Sequence, residues 1–342
     1  MDIFSEFINK NQRALAKLIT LIENFDRKGF EILTRLERRH EENSASRKDG
    51  GGKQIVIGIT GPPGSGKSSL VDRLARKITC SGERNSIGIV AFDPSSPFTG
   101  GAILGDRVRM SNFTSPDLFF RSMGTRGSLG GMSKAISYIL RIYELFGFDF
   151  IIVETVGVGQ LEIDVVKMTD TTIIAEVPGL GDEIQAIKAG IFEIGDIFVI
   201  NKTDRPGVDK IYCEIAYMLG LRRDKLLQDG INDPWQVPIV KTNCVSGEGI
   251  DELLAKIIEH RDLSYGDGRI ARNRKLRLRE QYLSFARDFI EDNVMAALAR
   301  DAEFKTLIEK GSIDIFSEGD GPNFKKVMLK MSKLLTEKIN SL

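Results

Sequence analysis

The chain has 342 residues, 42% hydrophobic and 28% charged, and its 48 Lys plus Arg balance 48 Asp plus Glu. Such a composition supports one large core with appendages, or two domains, and zero net charge excludes a global electrostatic pull toward nucleic acid or an anionic membrane. No apolar stretch approaches the ~20 residues that span a bilayer, the start MDIFSEFINKNQRALAKL lacks a signal-peptide core, and Cys80, Cys213 and Cys244 form neither a CxxC pair nor a zinc spacing. The expectation is a cytoplasmic protein without a disulfide framework or structural zinc.

Residues from about Gln12 to His40 show helical periodicity. Leu15, Leu18, Ile19, Ile22 and Phe25 make one stripe, and Ile32, Leu33 and Leu36 continue it past Gly29. This predicts a helical pair or a kinked helix packed on the main domain, and the polar, glycine-rich EENSASRKDGGG that follows predicts a linker. From Lys53 onward, apolar β-branched runs alternate with amphipathic segments. The predicted strands are QIVIGIT, SIGIVAF, DLFFRSM, FDFIIVET, DTTIIAEV, DIFVIN and VPIVKTN, with SLVDRLARKI, SKAISYILRIYELFG and EIQAIKAGIFEIG among the helices. That order predicts an α/β fold with a mostly parallel sheet and helices on both faces, whose ligands gather at the carboxyl ends of the strands.

After about Ser264 the character changes. RIARNRKLRLREQYLSFARDFIEDNV and the tail NFKKVMLKMSKLLTEKI predict further helices. The basic run from Arg269 to Arg279 reads as a solvated helix face or an oligomer arm rather than a nucleic-acid patch, because the total charge is zero and no aromatic residues interleave it. Three regions result: an N-terminal helical extension at 1–46, a central domain at 47–263 and a C-terminal helical arm at 264–342.

Directly after QIVIGIT, the residues Gly61, Pro62, Pro63, Gly64, Ser65, Gly66, Lys67, Ser68 and Ser69 meet the spacing G-x-x-x-x-G-K-[ST]. The strand before and the amphipathic stretch after supply the context of a phosphate-binding loop. Its glycines let backbone N–H groups approach a β-phosphate, Lys67 supplies a point charge to the β- and γ-phosphates, and the Ser68 hydroxyl is a ligand for Mg²⁺. The base is read further on, at Asn201, Lys202 and Asp204 of NKTD, which ends another apolar run. An Asp carboxylate accepts from guanine N1 and the exocyclic amine, whereas adenine would leave it desolvated and unpaired. Asn201 would brace the loops and the Lys202 stem would cover one face of the base.

Hydrolysis of a nucleoside triphosphate needs a metal and groups that respond to the γ-phosphate. Besides Ser68, the acids Asp93, Asp106 and Glu154 stand at strand ends or in a glycine-rich loop, as Mg²⁺ ligands; for Asp93 and Asp106 the competing role is a helix N-cap. Gly157 could offer its N–H to the γ-phosphate and so turn nucleotide state into conformation. Gln160 is a candidate for orienting water, or else a surface glutamine. Arg107, Arg109, Arg121 and Arg126 could each stabilise charge, and the sequence does not choose among them.

FDPSSPFTGGAILGDRVRM, RGSLGG, ETVGVGQ, VPGLGDEIQAIKAGIFEI and NKTDR together resemble the MeaB/ArgK-type GTPases, the methylmalonyl-CoA mutase-associated proteins, a branch of the SIMIBI-class P-loop G proteins. The resemblance implies a GTP-binding and GTP-hydrolysing, Mg²⁺-dependent chaperone of an adenosylcobalamin-dependent acyl-CoA mutase. Such a chaperone gates cofactor delivery and protects or reactivates the mutase. It also implies a homodimer whose G domain at 47–263 carries helical extensions, with 264–342 as the dimerisation arm. On this chain the family's Mg²⁺ pattern falls on Ser68, Asp93, Asp106 and Glu154, and its guanine pattern on Asn201, Lys202 and Asp204. A coupling loop from Val177 to Gly190 contains Asp182, Gln185 and Lys188. One departure lies in the last guanine loop, where Asn243, Cys244 and Val245 follow Thr242 in place of the usual T-S-A. That loop contacts guanine mainly through backbone N–H groups, with Cys244 a small apolar residue near the base rather than a catalytic thiol. A nickel or zinc metallochaperone GTPase would need clustered His or Cys, and the chain has only His40 and His260, far apart. A phosphotransferase would need a second substrate pocket and a general base, which nothing in the sequence demands.

Overall fold

Ile55, Ile57 and Ile59 alternate with Val56 and Gly58, and the whole strand they form is buried, the mark of a strand covered on both faces. In the computed structural model, residues 2–24, 26–46, 54–80, 85–93, 115–124, 131–155, 168–179, 191–231 and 234–290 are described. The strands are β1 (Ile55–Thr60), β2 (Ile87–Asp93), β3 (Leu118–Gly124), β4 (Phe150–Glu154), β5 (Thr171–Glu176), β6 (Ile197–Asn201) and β7 (Ile239–Thr242). The helices are α1 (Ile3–Ile8), α2 (Gln12–Glu23), α3 (Arg27–Ser46), α4 (Lys67–Cys80), α5 (Gly131–Phe146), α6 (Ile191–Ile194), α7 (Val208–Gln228), α8 (Ile250–Gly266) and α9 (Arg269–Ile290). The chain divides into two compact units, Met1–Leu278 and Arg279–Leu342, and the sheet lies in the first.

All seven strands are parallel, in the order β3-β2-β4-β1-β5-β6-β7, with Ile57 of β1 opposite Ile152 of β4 and Thr171 of β5. The chain crosses β1 on passing from β4 to β5, so the switch point and its crevice lie at the carboxyl end of β1. Ile55, Ile57 and Ile59 pack with Leu70 and Leu74 of α4 and Leu253 and Ile257 of α8. Val56, Val90, Ile151 and Val153 face α5 and the N-terminal helices, and Ile174, Phe198 and Ile200 meet Ile211 and Ile215 of α7. Each of these buried aliphatic side chains stabilises the fold by about 1.5–3 kcal/mol before entropy is counted. Gly88 of β2 is where the backbone itself is packed upon: a Cβ there would lie 2.6 Å from Phe148 and 2.8 Å from Tyr143.

The N-terminal helices differ in detail from the expectation. The stripe belongs to a helical pair whose break falls just before Arg27, where Asp26 Oδ1 accepts from the Lys28 N–H at 2.8 Å. Gly29 sits inside α3, and a Cβ there would be 2.8 Å from Leu21 Cβ, so it permits close approach to α2. Phe25 lies outside the described residues. The segment read as a linker is helical as far as Ser46, since Glu41, Glu42 and Ala45 carry no helix breaker. Helix α7 has no clear apolar stripe and buries only Ile211 and Ile215, whereas α8 carries one in Ile250, Leu253, Leu254 and Ile257. The predicted tail helix at 323–339 and the first part of EIQAIKAGIFEIG lie outside the described residues.

The basic run is not simply a solvated face. Arg277 of α9 is buried and donates to Asp170 Oδ1 and to Glu144 Oε1, both at 2.8 Å. Glu144 also pairs with Arg141, which pairs in turn with Glu37 of α3. This alternating chain Glu37–Arg141–Glu144–Arg277–Asp170 ties α3, α5 and α9 to the start of β5, where Asp170 Oδ2 accepts from the Val56 N–H at 3.0 Å. Removing Arg277 would leave the buried Asp170 carboxylate without its counter-charge, at a cost of roughly 3–5 kcal/mol.

A second polar cluster makes stability depend on pH. His260 Nδ1 lies 2.7 Å from Thr171 Oγ1, and its Nε2 lies 3.4 Å from Asp196 Oδ1 and 3.3 Å from Arg269 Nη1. Burial, helped by the Arg269 charge, lowers His260 to about 4, whereas burial raises Asp196 to about 6 against the pull of the Thr172 N–H. His260 therefore stabilises fully above its ordinary 6.5, and that contribution is lost as pH falls toward 4. Asp196 acts in the opposite sense: its contribution is present at low pH and is lost as pH rises from 3.8 toward 6. The unfolding temperature is expected to fall between pH 7 and pH 5, and to fall more steeply in Asp196→Asn, where the offset is gone. Thermal circular dichroism checks this, and superimposable profiles for the two proteins would contradict it.

Candidate functional site

β1 ends at Thr60, and the loop turns so tightly that its glycines are required by position. Gly61 has φ 141° and a Cβ there would meet Ala175 O at 2.1 Å; Gly66 has φ 89° and its Cβ would meet Asn201 Nδ2 at 2.3 Å. Gly64, with φ 78°, has open space on that side, as do the exposed Pro63 and Gly64 surfaces at the loop tip. Pro62 is buried, and its carbonyl accepts from the Ser65 N–H at 3.2 Å. Lys67 opens α4, and its buried ammonium donates to Gly61 O at 2.7 Å and Pro62 O at 3.0 Å, so the charge stands inside the curl of the loop. Ser65 Oγ is buried with no hydrogen-bond partner. Ser69 is exposed on the first turn of α4.

Ser68 Oγ donates to Glu154 Oε1 at 2.6 Å, joining the first turn of α4 to the end of β4. Two hard oxygen ligands are thus together, a donor set that suits Mg²⁺. Asp93 ends β2, opposite Gly124 of β3 in register, and its side chain lies outside the described residues. Asp106, Gly157, Gln160, Asp182, Gln185, Lys188, Arg107, Arg109 and Arg126 also lie outside them. Among the described residues no three His, Cys, Asp or Glu side chains gather as a metal-holding group. Arg121 is engaged elsewhere: its guanidinium pairs with Glu23 and donates to Thr20 Oγ1 at 3.3 Å, binding β3 to α2 rather than facing the loop.

Asn201, at the end of β6, bridges the two halves of the crevice. Its Nδ2 donates to Ser65 O at 2.9 Å, and its Oδ1 accepts from Thr242 Oγ1 and from Cys244 Sγ, each at 3.3 Å. Lys202 adopts φ 58° and reaches across to Gly64 O at 2.7 Å. Asp204 is exposed, and its Oδ1 accepts from Asn243 Nδ2 at 3.1 Å. Asn243 pairs with Glu248 as an isolated bridge, and its Oδ1 accepts from the N–H groups of Val245 and Ser246. Cys244 packs on the core beneath, and burial pushes its thiol up, as befits a packing residue and not a nucleophile. Val245 is 87% exposed. One partner of this loop had no signal in the sequence: Arg73 of α4, whose guanidinium donates to the carbonyls of Cys244 and Val245.

A phosphate loop between the first strand and its helix, set at the switch point of a parallel sheet with helices on both faces, defines a P-loop nucleotide hydrolase. Residues 15–300 match the family model described as methylmalonyl Co-A mutase-associated GTPase MeaB; the chain belongs to that family and is a GTPase. A Pyrococcus abyssi relative named as a GTPase is 43% identical over 314 residues, covering 91% of each chain. The Escherichia coli GTPase ArgK is 31% identical over 303 residues, covering 86% of this chain and 89% of its own. The mouse protein named methylmalonic aciduria type A homolog, mitochondrial, is 32% identical over 294 residues, covering 84% of this chain and 68% of its own. The crystal structure of a LAO/AO transport system kinase shares the fold, with a TM-score of 0.59 at 23% identity, covering 98% of this chain and 96% of that one. No described helix is long and apolar enough to cross a membrane.

Proposed function

We propose that this GTPase is a chaperone of an adenosylcobalamin-dependent acyl-CoA mutase, most simply methylmalonyl-CoA mutase. It would gate cofactor delivery and protect or reactivate its partner. The observation that carries this reading is the family match over residues 15–300, whose description names the mutase. The name of the mouse relative refers to methylmalonic acid and supports it.

In this proposal Gly61 to Ser69 and Gly157 hold the phosphates. Lys67 exchanges its contacts with Gly61 O and Pro62 O for phosphate oxygens, so its charge is already desolvated and aimed when the nucleotide enters. Asp204 reads guanine, Lys202 covers one face of the base, Asn201 holds the phosphate and base loops together, and Asn243, Cys244 and Val245 close the base side. Ser68 and Glu154, with Asp93 and Asp106, would hold Mg²⁺, which neutralises charge on the β- and γ-phosphates when bound. Gln160 orients water. Asp182, Gln185 and Lys188 belong to the loop through which the partner is sensed. The arm at 264–342 pairs two chains, which sedimentation at the mass of a dimer would support.

The decisive experiment is GTP hydrolysis by the purified chain with and without a purified cobalamin-dependent mutase and Mg²⁺. Stimulation of turnover by the mutase is the expected result. Unchanged turnover over a range of mutase concentrations would remove the chaperone role while leaving the GTPase assignment intact, whereas transfer of phosphate to a small molecule or protein would mark a phosphotransferase instead.

A further inference from the structure

Arg73 lies on the second turn of α4, the helix that the phosphate loop opens. Its Nε–H donates to Cys244 O at 2.6 Å and its Nη2–H to Val245 O at 2.7 Å. These carbonyls belong to the peptide units that join residues 244 to 245 and 245 to 246. The N–H groups of the same two units, on Val245 and Ser246, donate to Asn243 Oδ1 at 2.9 and 3.3 Å. A trans peptide unit points its C=O and its N–H in opposite directions. Both units are therefore gripped at both ends, by Arg73 on one side and by Asn243 on the other. The remaining polar atom of the Asn243 side chain, Nδ2, donates to Asp204 Oδ1 at 3.1 Å. Hydrogen bonds and planar peptide units thus run from a guanidinium on the phosphate helix to the carboxylate that faces the base.

Attachment of the loop to the body of the protein does not need this clamp. α4 and α8 are joined by the packing of Leu70 and Leu74 with Leu253 and Ile257, and by the Lys77–Asp251 ion pair. Gly249, with φ 76°, lets the chain press against Lys241 O, so the base of the loop is set by its own backbone. What Arg73 adds is orientation. Its donors form a rigid planar fork that matches two successive carbonyls, which the single point charge of lysine does not. An arginine and an asparagine gripping opposite edges of the same two peptide planes leave the Asn243 amide one orientation, with its Nδ2 toward Asp204.

We propose that Arg73 is a positioning residue for base selection, acting through the two peptide units and Asn243 to set the direction of the Asp204 carboxylate. The proposal rests on the reading of Asp204 as the guanine-binding acid. It is tested by calorimetry of GDP and IDP, with Mg²⁺, on the wild type, Arg73→Ala, Arg73→Lys, Asp204→Ala and the double variant Arg73→Ala/Asp204→Ala. Hypoxanthine lacks the exocyclic amine, one of the two donors Asp204 accepts from, so IDP reports how well the carboxylate is aimed. Arg73→Ala is expected to weaken GDP about tenfold, the scale of a lost charge-assisted hydrogen bond, and to weaken IDP less, so the preference for GDP shrinks. Arg73→Lys falls between, and it carries the test if thermal unfolding shows that the alanine variant does not fold. In the double variant, loss of Arg73 causes no further loss of preference, the non-additivity expected of residues in one network. Equal weakening of GDP and IDP, or an unchanged preference, overturns the proposal. A wild type that binds GDP and IDP equally well overturns instead the role of Asp204 on which it rests, and the proposal with it.

Discussion

Lys67→Ala is expected to lower kcat/KM for GTP by about 10²–10³-fold, the range seen when a preorganised charge is removed from a phosphate or oxyanion site. The ammonium is buried, fixed on Gly61 O and Pro62 O, and enclosed by a loop whose Gly61 and Gly66 leave no space for a Cβ. In water a single charge near a phosphate is screened and mobile; here it is desolvated and held inside the curl of the loop before any nucleotide enters. Stability should change much less, because the substitution removes a desolvated cation together with the hydrogen bonds it makes. A steady-state hydrolysis assay beside a thermal melt checks both halves. Turnover within a few-fold of wild type would mean that Lys67 is a structural tie for the loop and not part of the chemistry.

Asp204→Asn is expected to weaken GTP by about 10³-fold or more, since a site built to pair with donors rejects a mismatched edge by large factors. The geometry makes the direction specific. Asn243 Nδ2 donates to Asp204 Oδ1, so a substituted amide keeps its oxygen there and turns its own NH₂ toward the base. That group meets donors on guanine but an acceptor on xanthine, which carries a carbonyl where guanine has its amine. XTP should therefore bind and turn over in the variant, while the wild type prefers GTP. Titration of both nucleotides against both proteins decides it: a variant that keeps full GTP preference would show that Asp204 does not read the base.

The phosphate loop was legible because its chemistry is local. Nine consecutive residues supply the glycine-driven turn, the charge and the hydroxyl, and the apolar strand before them sets the loop at the carboxyl end of the sheet. The placement of NKTD and of Glu154 at the ends of fully buried strands was legible for the same reason. The strands themselves announced their pairing class, since runs buried on both faces occur in parallel sheets. Helix α7 was not legible: with only Ile211 and Ile215 buried it has scarcely an apolar stripe, and Tyr217 at 66% exposed scatters what pattern there is. Arg277 misled for the opposite reason. Within RNRKLRLR it resembles its solvated neighbours, and only the arrival of Asp170 and Glu144 from distant segments makes it a buried ion.

What the amino-acid order determined alone is the class of chemistry, because the glycines, charge and hydroxyl of a phosphate loop are complete within a few residues. What the tertiary structure decided is which groups act together. Ser68 meets Glu154, Asn201 spans Ser65 and Cys244, and Arg73 reaches the far side of the loop whose Asn243 donates to Asp204. Those pairings join segments tens to more than a hundred residues apart, and hydrogen bonds a few ångströms long exist only once the parallel sheet has brought the carboxyl ends of β1, β4, β6 and β7 to the same side.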